Sequence, residues 1–297
     1  MESILITGGS GLIGKYLQNI LLQKGYAVSI LSSSHSAKSF YWNIETGEID
    51  IEALKNADHI IHLAGANIGA RRWTERQKRL IIESRTQSAQ LLFDTIKKLD
   101  KRPKTFISAS AVGYYGAITS EHIFMETDEP ASDFLGNVCV QWEKSADQFE
   151  ELGIRVVKFR TGVVLTPHNG VLEKIRRPIK YGFGSSFGNG KQYFPWIHIN
   201  DLCEMYYKAI ADKTFRGAYN AVAPQHCSNK LFVKNIASIL GKSVLLPSIP
   251  SFIFRVVFGE MSDLLLKGSR ISSQKIKDDG FQYQFSTLES ALTDLLK

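Results

Sequence analysis

The chain reads as a doubly wound α/β protein, a parallel sheet with helices on both faces, on three observations. Short apolar runs alternate with helical patterns of ten or more residues, a glycine-rich turn joins the first apolar run to the first helix, and the texture changes after Arg160. Parallel neighbours need long crossover connections, and the intervening helices supply them.

The first strand is Ile4-Leu5-Ile6-Thr7, and directly behind it stands Gly8-Gly9-Ser10-Gly11-Leu12-Ile13-Gly14. Glycines without a Cβ let the backbone turn sharply and bring its N–H groups against phosphate oxygens. Gly14 lets the helix lie close to the sheet, and the positive helix end faces the anion. Strand before and helix after are the context that makes this a dinucleotide pyrophosphate site. Gly8, Ser10, Gly11, Leu12, Ile13 and Gly14 are its expected residues, and the sheet is Rossmann-type.

The helix from Leu12 to Gln23 carries Ile13, Leu17, Ile20 and Leu21 at helical spacing, and Gly25 closes it. A second strand runs from Ala27 to Leu31. Asp58 to Gly65 is an apolar strand ending in small residues, followed by a helix from about Trp73 to Lys98. Thr105-Phe106-Ile107-Ser108 is the next strand, Trp142 to Leu152 a helix stopped at Gly153, and Ile154 to Phe159 a β-branched strand. Thr166 to Gly170 is a turn and Gly182 to Gly190 a loop. Phe194 to Ile199 is extended, with Asn200 or Asp201 capping a helix to about Ala211. From Ser228 helical patterns dominate. Residues 1–165 are expected to form the NAD(P)-binding domain, with 191–225 returning to it. Residues 166–190 and 226–297 are expected to form a smaller, mostly helical C-terminal substrate lobe over the crevice.

At 297 residues and 44% hydrophobic composition the chain can bury a large core. Its net charge of +7 comes from scattered basic residues with only short clusters, so a solvated surface is favoured over a nucleic-acid stripe. No run has the length of a membrane span, and a first strand beginning by residue 3 leaves no room for a signal peptide. Cys139, Cys203 and Cys227 are odd in number, far apart and without CxxC. That spacing predicts reduced thiols in a cytoplasmic compartment and no metal site. The expected partner is a small-molecule substrate, a nucleotide sugar among the candidates, with a homodimer left open and neither nucleic acid nor membrane expected.

In NAD-binding sheets of this kind an acidic residue at the end of the second strand accepts from the ribose hydroxyls. Here Ser32-Ser33-Ser34-His35 takes that place, Lys38 follows, and no carboxylate comes before Glu45. Hydroxyls and an ammonium suit a 2′-phosphate that a carboxylate would repel, so NADP(H) is expected over NAD(H), through Ser32, Ser33 and Lys38.

Nearly the whole chain resembles the short-chain dehydrogenase/reductase superfamily, extended type, and within it an atypical branch, the nucleoside-diphosphate-sugar epimerase-like proteins of the YfcH type. The resemblance is carried by Thr7 to Gly14, His62-Leu63-Ala64-Gly65-Ala66-Asn67, Arg72-Trp73 with Ser84-Arg85, and Ser108 to Gly116. Further on it rests on Arg160 to Leu165, Phe194 to Asp201, and a tail with Gly259-Glu260, Gly268-Ser269-Arg270 and Gly280-Phe281. It implies an NADP(H) site that adds Leu63, Ala64, Gly65, Arg85 and Val163 to the glycine loop. It brings no substrate with it.

The resemblance also implies a serine or threonine after the fifth strand that polarises a carbonyl, and a tyrosine four residues before a lysine that exchanges the proton. Cys139 stands where the tyrosine belongs and Glu143 where the lysine belongs, so the YxxxK pair is absent. Ser110 is the polarising candidate. Tyr114 and Tyr115 either face the nicotinamide or pack, with Tyr115 the candidate acid/base. Glu143 is a base if desolvated, or an acceptor for ribose hydroxyls. Cys139 reads as an inert buried thiol. His198 either moves protons near neutral pH or is a structural histidine beside Asp201. Arg176 and Arg177 either grip phosphate or lie on a solvated helix face. Tyr193, Phe194 and Trp196 either wall the pocket or fill the core. Two functions follow: an NADP-dependent oxidoreductase or epimerase, or an NADP(H)-binding structural or sensory protein whose chemistry went with YxxxK.

Overall fold

Side-chain alternation along the strands builds this computed structural model, which describes residues 1–35 and 39–297. The first half contains β1 (Ser3–Thr7), α1 (Leu12–Gln23), β2 (Ala27–Ser32), β3 (Phe40–Asn43), β4 (Glu48–Ile49), α2 (Ile51–Lys55) and β5 (His59–His62). It continues with α3 (Glu75–Ile96), β6 (Thr105–Ala111), β7 (Ile123–Phe124), α4 (Phe134–Asp147) and β8 (Arg155–Thr161). Leu5, Ile60, Phe106 and Val156 point to one face, where α3 covers them with Leu92, Phe93 and Ile96. Their neighbours Ile4, Ile6, Ile61, Ile107 and Val157 point to the other, under Leu17 and Leu21 of α1.

After β8 come β9 (Val163–Leu165), α5 (Gly170–Lys180), β10 (Trp196–His198), α6 (Ile199–Ala211) and β11 (Gly217–Ala221). The main sheet has eight strands in the order β11-β8-β6-β5-β1-β2-β3-β4. All its neighbours are parallel except β3 and β4, an antiparallel pair at one edge. The doubly wound, mostly parallel sheet is as expected, and the antiparallel edge pair has a local cause: only four residues separate the two strands, too few for a crossover. The remaining elements are α7 (Asn229–Ile239), α8 (Ser251–Phe258), α9 (Asp263–Leu266), β12 (Arg270–Ile271), α10 (Gln274–Asp278) and α11 (Leu288–Leu296). Leu172 and Ile175 of α5, Phe232 and Ile236 of α7, and Leu288 and Leu292 of α11 close a separate core around Trp196.

Several boundaries differ from expectation for local reasons. Gly25 does end α1, at φ +86° just past the cap. The helix expected from Trp142 begins eight residues earlier, because Asp133 caps it by accepting from the Gly136 amide at 2.9 Å. The cap of α6 is His198 rather than Asn200 or Asp201: its Nδ1 accepts from the Asn200 amide at 3.1 Å. Asp201 instead accepts from the Gln284 and Phe285 amides at 2.8 and 3.0 Å, pinning the C-terminal segment to α6.

Candidate active site

β1 lies between β2 and β5, the point where strand order reverses and α/β sheets bind ligands. Just past β1, Gly8 takes φ +69°, and a Cβ there would stand 2.9 Å from the Ala64 amide nitrogen. Gly11 is the N-cap of α1 and has no side chain to cap with. Its own N–H donates to the Gly8 carbonyl at 3.0 Å. The amides of the following turn, including Leu12, Ile13 and Gly14, have no intrahelical partner and are available to an anion. A Cβ on Gly14 would lie 2.6 Å from the Gly9 Cα and carbonyl oxygen, so only glycine permits this closeness of helix and loop. Gln18 ties the two together, donating to the Gly9 and Gly14 carbonyls at 2.7 and 3.0 Å.

Leu63, Ala64 and Gly65 leave β5 on the same side of the crevice. Thr7 Oγ1 accepts from the Ala64 amide at 3.3 Å and pairs with His62 Nδ1 at 2.8 Å. His62 Nε2 meets Ser88 Oγ at 3.1 Å, and burial pushes the imidazole pKa down to about 4. A Cβ on Gly65 would touch the Arg85 side chain at 3.1 Å. Arg85 lies over Trp142 with its carbon 4.6 Å from the ring centre and donates to the Ile81 carbonyl at 2.8 Å. Its Nε is buried and has no partner among the described residues. At the end of β2, Ser32 Oγ accepts from the Ser34 amide at 3.1 Å, and Ser33 is exposed. Lys38 lies outside the described residues. Val163 opens β9, separated from the end of β8 by Gly162 alone. The glycine cradle, the open first turn and the unpartnered Arg85 nitrogen fit a phosphate-bearing dinucleotide.

Deeper in the crevice a buried network replaces the expected pair. β6 and β8 place Ser110 opposite Arg160. Glu143 on α4 accepts from Ser110 Oγ at 2.8 Å and from Arg160 Nε and a terminal Arg160 nitrogen at 2.8 and 3.0 Å. Burial works against the Arg160 charge, but the hydrogen bonds and attraction of Glu143 outweigh it and raise its pKa. Lys158 reaches within 3.9 Å of Glu143 while held by Asp147 at 2.5 Å. Arg160 also donates to Tyr115 Oη at 3.0 Å and lies over the Tyr114 ring at 3.3 Å. The sequence reading passed over Arg160 as a site residue. The signal was there: a guanidinium near the end of a β-branched strand expected at the centre of the sheet must find a buried acid or leave the fold.

The structure places the other candidate residues as follows. Tyr115 is buried, its hydroxyl donates to Asn220 Oδ1 at 2.7 Å, and burial holds its pKa up to about 12. That engagement and the raised pKa weigh against it as an acid/base, while Tyr114 beside it is half-buried. Glu143 is engaged by Ser110 and Arg160, so its carboxylate is occupied by side chains rather than offered to ribose. Burial likewise pushes the Cys139 thiol up to about 12, that of an inert group. His198 takes the structural reading: one nitrogen caps α6, the other meets Asp294 at 3.2 Å, and the ring stacks on Phe285 at 3.8 Å. Arg176 pairs with Glu173 within its own helix and Arg177 is exposed, the solvated face rather than the phosphate grip. Trp196 is fully buried and donates to the Gln225 carbonyl at 3.1 Å, filling the core. Among the described residues, no three His, Cys, Asp or Glu side chains gather for a metal, and no helix is long and apolar enough to cross a membrane.

Sheet order, glycine cradle and open helix end together define a nicotinamide-dinucleotide-binding protein with an epimerase-like architecture. Residues 4–221 match the NAD dependent epimerase/dehydratase family, and the chain belongs to it. Residues 249–295 match a domain of unknown function, DUF1731. The chain is 35% identical to the epimerase family protein SA0724 of Staphylococcus aureus over 100% of both chains. Among solved structures it is similar to the human epimerase family protein SDR39U1 with NADPH, at TM-score 0.90 and 31% identity over 99% of this chain and 98% of that one. The UDP-glucuronic acid 4-epimerase of Bacillus cereus, in complex with UDP-glucuronic acid and NAD, shares the fold at TM-score 0.77 and 17% identity over 98% and 96%.

Proposed function

We propose that this chain is an NADP(H)-dependent oxidoreductase or epimerase acting on a small carbonyl or sugar-nucleotide substrate. In this reading residues 1–165 with 191–225 hold the cofactor and the remaining segments shape the substrate side. The first-turn amides of α1 bind the pyrophosphate, Ser32 and Ser33 meet the 2′-phosphate, and Arg85 Nε supplies a further donor. When bound, NADP supplies the hydride acceptor and donor. NADP is favoured because the end of β2 offers hydroxyls and no carboxylate before Glu45, and the human neighbour was solved with NADPH. The three free cysteines, Cys139, Cys203 and Cys227, are all buried, which supports a reducing, cytoplasmic setting.

The observation that carries the chemistry is the 2.8 Å bond from Ser110 Oγ to Glu143. With its proton donated to Glu143, Ser110 presents lone pairs to a substrate hydroxyl. As the substrate carbon loses hydride, the substrate proton passes to Ser110 Oγ and the serine proton shifts to Glu143. Reduction of a carbonyl runs the same chain backwards. The second reading, a structural or sensory NADP(H)-binding protein, is favoured by one observation: Arg160 and Ser110 already occupy Glu143, the residue standing where the lysine belongs.

NADPH fluorescence titration, followed by turnover across a panel of carbonyls and sugar nucleotides, tests both. NADPH is expected to bind, and Gly11→Asp to abolish binding by placing a carboxylate against the pyrophosphate. Retained affinity in that variant overturns the site. Tight NADPH binding without turnover across the panel selects the second reading.

A further inference from the structure

The uneven charge of the chain coincides with its apolar surface. Residues 174–200 and 226–259 contain nine Lys and Arg and no Asp or Glu, so 27 basic and 29 acidic residues remain elsewhere. The two segments form one surface. Phe187 bridges to Ile249, Ser186 Oγ meets Ser248 Oγ at 2.7 Å, and Phe187 packs on Phe254 with ring centres 5.0 Å apart. Among the described residues only Arg176 of the nine has an acidic partner, Glu173. Acids at its border are themselves engaged: Glu173 with Arg176, Glu260 with Lys78 at 2.7 Å, and Glu121 with Arg270.

The same surface carries large exposed apolar side chains. On α8, Phe254 turns inward while Phe252, Ile253, Val256 and Val257 are 64, 40, 72 and 52% exposed. Leu245 just before the helix and Phe183 in the adjoining loop are 85 and 67% exposed. Soluble surfaces rarely leave so many large apolar groups together, and such a patch marks a docking site. Unpaired Lys180, Lys242 and Arg255 lie on the same two segments.

We propose that this face docks on an anionic lipid bilayer surface, with α8 lying in the headgroup region. A short amphipathic helix with apolar residues on its outer side and basic residues around it is the chemistry such an interface takes. A second copy of the chain fits badly, since a two-fold contact would press this predominantly basic face against itself. Nucleic acid fits the charge and can stack on Tyr181, Phe183 and Phe252, but it leaves the aliphatic Leu245, Ile253, Val256 and Val257 without a partner, which a bilayer would bury. The surface lies mostly on segments proposed to shape the substrate side, but the hydrogen bonds of Ser110, Glu143 and Arg160 involve none of its residues.

The test is flotation of the full chain with vesicles of phosphatidylcholine, alone or with about 30 mol% phosphatidylglycerol. Recovery with the anionic vesicles is expected to exceed that with neutral ones by about tenfold and to fall in high salt. Phe252→Asp with Val256→Asp is expected to lower it by about tenfold while leaving NADPH affinity unchanged, which shows that the variant is folded. Wild-type protein that stays with the buffer fraction refutes the proposal, as does a variant that floats like wild type. Sedimentation velocity showing a wild-type dimer split by the same substitutions, or retention of single-stranded RNA in preference to vesicles, also overturns it.

Discussion

Removing the Arg160 guanidinium while leaving Glu143 in place tests the buried network most directly. Arg160 gives Glu143 two charge-assisted hydrogen bonds, at 2.8 and 3.0 Å, in a site where both side chains are almost wholly buried. Arg160→Leu leaves a buried carboxylate with one Ser110 hydroxyl and a Lys158 ammonium 3.9 Å away that is already held by Asp147. Breaking a buried pair on one side costs about 3–5 kcal/mol. Lys158 as fallback partner puts the expected loss near the lower end, about 3 kcal/mol, or about 5 °C in Tm for a chain of this length. Glu143→Leu should cost a similar amount by stranding the arginine. The double variant, with no buried charge left unpaired, should recover about half or more of the loss. The assay is urea unfolding of all four proteins. A loss under about 1 kcal/mol in Arg160→Leu, or a double variant equal to the sum of the singles, would show that the two groups are not coupled and refute the reasoning.

Gly14→Ala gains about 1 kcal/mol of helix propensity but forces a Cβ to 2.6 Å from Gly9 backbone atoms that cannot swing away. The clash should win, with a net loss of about 2 kcal/mol in unfolding and weaker NADPH binding by fluorescence titration. Ser32→Asp should reverse the cofactor preference, read as the ratio of the NADPH and NADH dissociation constants; an unchanged ratio places the 2′-phosphate elsewhere. His62, neutral and bonded on both sides, has a pKa depressed from 6.5 to about 4. The unfolded chain therefore binds an extra proton between those values. The contribution is fully present above pH 6.5 and is lost as pH falls toward 4, a change of roughly 3 kcal/mol that His62→Gln should flatten in a stability-against-pH series.

The glycine run and the span of α1 were legible because they depend on neighbours in sequence. A glycine turn, an apolar period and a terminating Gly25 act within a few residues of one another. The edge pair β3 and β4 was not legible, since Phe40-Tyr41-Trp42-Asn43 is short and its pairing with β2 is a tertiary choice. The start of α4 was missed for a different reason: Asp133 signals a cap only once the chain behind it has turned. Tyr115 drew attention as a phenol at a strand end. Only the approach of Arg160 and Asn220, 45 and 105 residues away, shows that its hydroxyl is occupied.

By itself the sequence determined the sheet type and the glycine cradle, because each is written in contiguous residues with a local physical meaning, while the loss of the tyrosine–lysine pair was read through the family resemblance. The tertiary structure alone decided which polar groups are spent on one another: Glu143 on Arg160 and Ser110, His198 on the cap of α6, Tyr115 on Asn220. Burial makes an unpartnered polar atom costly, and the identity of its partner depends on which distant strands the fold brings side by side.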